Sequence, residues 1–312
     1  MDFPYTQIVS LAYTGLLTAF ASIAFGQEPA SASTAQPLQE PRLRMDGPLS
    51  LSLSPSEGER VPKAGEGAVQ GFKARMPSGN ALPASIDLRP TFDNWGLAQR
   101  TQGKRGTCSV FTVVGALEFA AANKQRHGER FSVEFLNWAA NRVAGEDVDG
   151  GFFSDLWKAF AAYGVCTEKA MPYRAEFDPS VAPSPEVLAE AKTRLALGLR
   201  HHWIKEWNVK TGLTDEQFVA IKRTLHQGWP VCAGCRWPKQ PKWFDHVLQM
   251  CPADAVYDGH SVLLVGYRED VNQPGGGVFL FRNTNTGGHD GAMPYTYAQA
   301  YVNDAVWIGS KK

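Results

Sequence analysis

The period of apolar positions changes partway along the chain. After Cys108, the residues Val110, Val113, Val114, Leu117 and Ala121 recur at helical spacing, with Thr112, Glu118, Asn123 and Lys124 on other faces. Thr107 stands at the N-cap position. Ser132 opens a second helical segment through Phe135, Trp138 and Ala139, and Ser154 a third through Leu156, Trp157 and Phe160, stopped by Gly164. Ser184-Pro185-Glu186 offers a cap, an N1 proline and an acidic first turn for a helix reaching Gly198. Thr214 and Gln217 have capping-box spacing, and that helix ends at Gly228. From Pro230 onward the pattern turns to strands, over residues 231–235, 261–267, 277–283 and 305–309. Helices first and strands later predict an α+β fold with a helical half and a sheet half.

The N-terminal quarter follows neither period. Residues 8–26 are an apolar run broken by Ser, Thr and Gly, and the run closes on Ala24-Phe25-Gly26, small residues of the kind a signal peptidase accepts. Residues 1–26 therefore read as an export signal, although Asp2 stands where Lys or Arg is usual. An uncleaved membrane anchor is the alternative, since the run is close to spanning length. Residues 27–82 are rich in Pro, Ser, Ala, Gly and Glu without sustained periodicity, as in a flexible linker or short pro-segment. The folded domain is then 83–312, expected as a monomer in a secreted or periplasmic protein. The 312 residues are 44% apolar with formal net charge +0, and no basic block appears, which argues against a nucleic-acid partner.

The candidate chemistry sits at the head of the first helix. Cys108 follows the loop Gln102-Gly103-Lys104-Arg105-Gly106-Thr107. In a first helical turn, the dipole and unpaired N–H groups favour a thiolate over a thiol. The Gln102 side chain and the Cys108 backbone N–H can donate to an oxyanion growing on an attacked carbonyl. A thiol nucleophile needs a base and the base an orienter; His260 opens one strand-like run and Asn283 ends the next.

These residues resemble those of a papain-like cysteine peptidase. The family's Gln-x5-Cys spacing is met by Gln102 and Cys108, its His by His260 and its Asn by Asn283. Asp149-Gly150-Gly151-Phe152-Phe153, then Tyr163-Gly164, Tyr173 after Met171-Pro172, and Pro230-Val231 extend the likeness over about 83 to 310 in family order. The resemblance implies a two-lobed fold, a helical lobe and an antiparallel sheet or barrel lobe, with the active site in the cleft between them. It implies a thiol-dependent endopeptidase working through an acyl-enzyme on a peptide or protein substrate, without a cofactor or metal. Cys108, His260, Asn283 and Gln102 would be catalytic, and Gly150, Gly151, Gly234 and Gly259 would contact substrate, Gly234 leaving room for a bulky side chain. A transacylase or amidase using the same thiol, or a weakly active peptide-binding module, are the alternatives.

The chain departs from the family pattern at several positions. Arg105 and Val148 occupy the places of a bridged cysteine pair, Ser109 that of the tryptophan after the nucleophile, and Asn285 that of the tryptophan shielding the His–Asn hydrogen bond. Without that cover the pair is expected to be more solvated and its bond worth less. Of the other cysteines, Cys166, Cys232, Cys235 and Cys251, a bridge from Cys251 to Cys232 or Cys235 is preferred over a zinc site, which lacks further ligands at suitable spacing. His201, His202 and His246 read as satisfied or surface histidines, and Trp203, Trp207, Trp237 and Trp243 as core.

Overall fold

The computed structural model describes residues 82–285 and 290–310. The expected export signal, and the linker apart from residue 82, lie outside the described residues. The first elements are β1 (Ser85–Asp87), α1 (Arg89–Asn94), α2 (Cys108–Gln125), α3 (Val133–Ala144), α4 (Phe153–Tyr163) and α5 (Pro185–Thr193). Then come β2 (Arg200–Lys205), α6 (Asp215–His226), β3 (Val231–Pro238), β4 (Trp243–Phe244), β5 (Val247–Leu248), β6 (Val256–Glu269), β7 (Gly277–Arg282), β8 (Gly291–Pro294), α7 (Tyr295–Tyr301) and β9 (Val302–Gly309). This is the α+β arrangement expected, helices first and a sheet after.

Among the described residues the strands join into one sheet, ordered β2-β9-β3-β6-β7-β8-β5-β4, with β1 on β6. Its ladders are antiparallel except β5 with β8. Helix α2 packs between this sheet and α3 and α4. It is therefore buried nearly all round, including Thr112 and Glu118, which the sequence places off the apolar face. The Glu118 carboxylate is tolerated there because Arg100 (2.9 Å), Arg130 (3.1 Å) and the Phe131 N–H (2.8 Å) surround it. Gly115 lets the helix approach β6, since a Cβ would come within 3.2 Å of Leu263 Cδ2.

Local signals fared well where the side chain itself makes the cap. The Ser132 hydroxyl accepts from the Phe135 N–H, Ser184 from Val187, and Thr214 and Gln217 close a capping box. Thr107 precedes α2, but its hydroxyl bonds the Tyr173 hydroxyl (2.7 Å) instead of capping. β2 and α7 carry aromatic and polar residues without a clean period, and they became legible only through pairing with β9 and packing on β3, β7 and β8.

The cysteine expectation is overturned: all five thiols are free. Cys232 and Cys235 stand three apart on β3, so their side chains leave opposite faces of the strand. The Cys232 thiol meets the Thr112 carbonyl of α2, and the Cys235 thiol the carbonyl of Ala233. No group of His, Cys, Asp and Glu among the described residues has the arrangement of a metal site.

Candidate active site

Cys108 is the first residue of α2 and is buried, its Sγ 3.9 Å from the carbonyl of Gly259. Burial pushes the thiol up, opposed by the Ser261 N–H and hydroxyl and by the Ser109 N–H, all of which favour the thiolate. The expected lowering at a helix start is thus outweighed by removal from water. On β6, one residue after that carbonyl, His260 has its Nε2 3.0 Å from Asn283 Oδ1. An amide oxygen only accepts, so Nε2 carries the donated proton and Nδ1 is left as the basic nitrogen. Burial depresses the imidazole to about 4, with the Asn283 bond pulling the other way.

The solvated His–Asn pair expected from Asn285 is not what forms. His260 is 6% exposed and Asn283 3%. The indole of Trp237, from β3, lies over the imidazole with ring centroids 4.4 Å apart. Asn285 instead directs its N–H to Asn283 Oδ1 at 3.4 Å, and Gln99 Nε2 donates to the Asn283 carbonyl. Trp237 is buried as expected, whereas Trp207 and Trp243 are 41% and 42% exposed.

Gln102 is fixed beside Asn283 through the next residue. Its N–H donates to the Thr284 carbonyl (2.6 Å), its Oε1 accepts from the Thr284 hydroxyl (2.8 Å), and its Nε2 donates to the Arg105 carbonyl (2.7 Å). The Tyr173 hydroxyl donates to the Gln102 carbonyl at 2.9 Å. The second Nε2 hydrogen takes no part in that bond, so the side chain keeps one donor for a ligand.

The glycine pair is carried by α3. Asn137 Oδ1 accepts from the Gly150 N–H (2.9 Å), and Asn137 and Asn141 both donate to the Val148 carbonyl. Gly150 adopts φ 85°, a backbone state that suits glycine. The Gly151 N–H donates to Ser109 Oγ at 3.2 Å, linking this loop to the residue after the cysteine. Arg105 fills the place of the absent bridge. It holds Asp149 bidentately, Nε to Oδ2 at 3.1 Å and Nη2 to Oδ1 at 2.7 Å, and reaches Glu134 (2.5 Å) and the Arg174 carbonyl (2.9 Å) through Nη1.

Gly234 pairs with Ser261, beside the cysteine's partners, but the room expected above it is occupied. A Cβ there would lie 1.8 Å from Asp304 Oδ1, so the glycine is required by the carboxylate on β9. Gly259, at φ 105°, precedes His260 and turns its carbonyl toward Cys108. Ser261, Thr284, Asn137 and Asp304 carry no functional reading in the sequence, and Trp237 reads there only as core. Ser261 and Thr284 directly follow the named His and Asn, and that adjacency was the available signal. The others depend on pairing across strands or helices.

The model of the papain family cysteine protease matches residues 82–299. No curated protein matches the chain in sequence. Among solved structures, xylellain, a cysteine protease from Xylella fastidiosa, is similar at 24% identity and TM-score 0.57, over 74% of this chain and 88% of that one. The digestive procathepsin L 3 of Tenebrio molitor larval midgut is similar at 20% identity and TM-score 0.53, over 75% of this chain and 73% of the other. The proform of the ragweed pollen allergen Amb a 11, also a cysteine protease, gives 17% identity and TM-score 0.53, over 75% and 69%. With helices and sheet arranged as in these structures and the family match spanning most of the described residues, the chain belongs to the papain family of cysteine proteases.

Proposed function

We propose that the protein is a thiol-dependent endopeptidase with Cys108 as nucleophile, His260 as base and acid, Asn283 as orienter and Gln102 as oxyanion donor. The observation that carries this reading is the His260–Asn283 hydrogen bond, which leaves Nδ1 as the basic nitrogen in a site whose preceding carbonyl meets the Cys108 thiol. Burial favours a neutral thiol and a neutral imidazole at rest. As Sγ bonds to the substrate carbonyl carbon, the thiol proton passes to Nδ1 and the carbonyl π pair moves onto oxygen, facing Gln102 Nε2 and the Cys108 N–H. Collapse expels the amine, which takes the proton from Nδ1, and leaves a thioester. Water, losing a proton to Nδ1, then adds to the thioester, and the carboxylic acid departs as Sγ regains its proton. Gly150 and Gly151, whose loop is tied to Ser109, and Gly259, whose carbonyl faces the Cys108 thiol, would receive the peptide backbone.

Alkylation by iodoacetamide, followed against pH beside peptide hydrolysis, tests the assignment. Cys108 is expected to be the labelled residue, with the rate rising from pH 6 to 9 as the thiol ionises, and Cys108→Ala and His260→Ala are expected to lose hydrolysis. A chain that cleaves no peptide, or whose hydrolysis survives Cys108→Ala, overturns the assignment. The apolar run over residues 8–26 supports action outside the cytoplasm, which N-terminal sequencing of the recovered protein checks.

A further inference from the structure

The position two residues after Asn283 holds Asn285 and offers no aromatic ring, yet both members of the His260–Asn283 pair are almost fully buried. The ring that covers the imidazole comes from another strand. Cys235 pairs with His260 and Trp237 with Tyr257, so β6 spends one more residue than β3 over this stretch. The extra residue is a β-bulge at Asp258-Gly259, made possible by the φ of 105° at Gly259. It leaves Trp237 diagonal to His260 on the ladder, within reach of an aromatic side chain. The indole then crosses the imidazole at 56° and is itself held by Phe281 (6.0 Å), Trp243 (6.2 Å) and Tyr297 (6.4 Å). The Tyr297 hydroxyl fixes the strand by donating to the Arg236 carbonyl at 2.7 Å.

We infer that Trp237 is a positioning residue for His260, supplying across the bulge the apolar cover that Asn285 does not. The indole keeps water from competing for the Nε2–H to Oδ1 bond and blocks rotation of the ring, so Nδ1 stays the free, basic nitrogen. The inference rests on the proposed role of His260, but its test reads the imidazole directly.

In a Cys108→Ala background, His260 is titrated by NMR with and without Trp237→Ala. Removing the indole is expected to raise the imidazole from its depressed value toward the ordinary 6.5 and to speed exchange of the Nε2 proton about tenfold or more. In the enzyme with Cys108, kcat is expected to fall about tenfold, the worth of one weakened hydrogen bond, with KM little changed. Trp237→Phe should restore most of both. Trp237→Gln keeps bulk without apolar cover and should behave as the alanine variant, which serves if Trp237→Ala does not fold. An imidazole that titrates and exchanges unchanged in the alanine or glutamine variant overturns the inference. A shifted titration in a protein without peptidase activity overturns the catalytic reading and leaves this one standing.

Discussion

A buried imidazole refuses a proton that the unfolded chain would accept. His260 is depressed from 6.5 to about 4 by burial, so the stability it contributes is whole above pH 6.5 and is lost as pH falls through about 4. The full effect is about 3 kcal/mol. In a Cys108→Ala protein, urea unfolding at pH 7 and pH 4 should show this loss, and adding His260→Gln should remove that part of the pH dependence. An identical pH dependence with and without His260 would mean that the imidazole is solvated. The identities of Cys108, His260, Asn283 and Gln102 were legible in the sequence because each carries chemistry at a recognisable interval. Their environment was not: the thiol is raised where a helix start suggested lowering, and the covering ring comes from Trp237 on a distant strand.

Strands β3 and β9 show how a pairing decides what a residue can be. Asp304 lies against Gly234, and burial raises its carboxyl to about 7. With the folded value above the unfolded one, its stability contribution is present below pH 3.8 and is lost as pH rises through about 7, opposite in sign to that of His260. Gly234→Ala should destabilise by about 1–3 kcal/mol, the usual cost of overpacking. The loss should shrink when Asp304→Ala is added, and a double-mutant cycle in urea measures the difference. Additive effects would show that the contact does not limit the site. Helices with side-chain caps, such as α3, α5 and α6, were legible because the cap is local. The strand β2 was not, because its residues Arg200–Lys205 acquire a face only on pairing with β9.

Over the whole molecule, Arg105 ties together segments distant in the chain: the loop before Cys108, Glu134 on α3, Asp149 beside the glycine pair, and the carbonyl of Arg174. Its guanidinium also lies over Tyr173, 4.7 Å from the ring centroid. Arg105→Ala strands two carboxylates with little access to water, a loss of about 3–5 kcal/mol. Chemical denaturation should show that loss, and peptide hydrolysis should weaken as the Gly150-Gly151 loop loosens; an unchanged unfolding midpoint would reduce the cluster to an incidental contact. The substitution of charge for sulfur at this corner separates two requirements that a cystine would set against each other. A reductant strong enough to keep Cys108 from oxidising has nothing to cut between the nucleophile loop and the glycine loop, so the protein can be held fully reduced without losing the brace around its own active site.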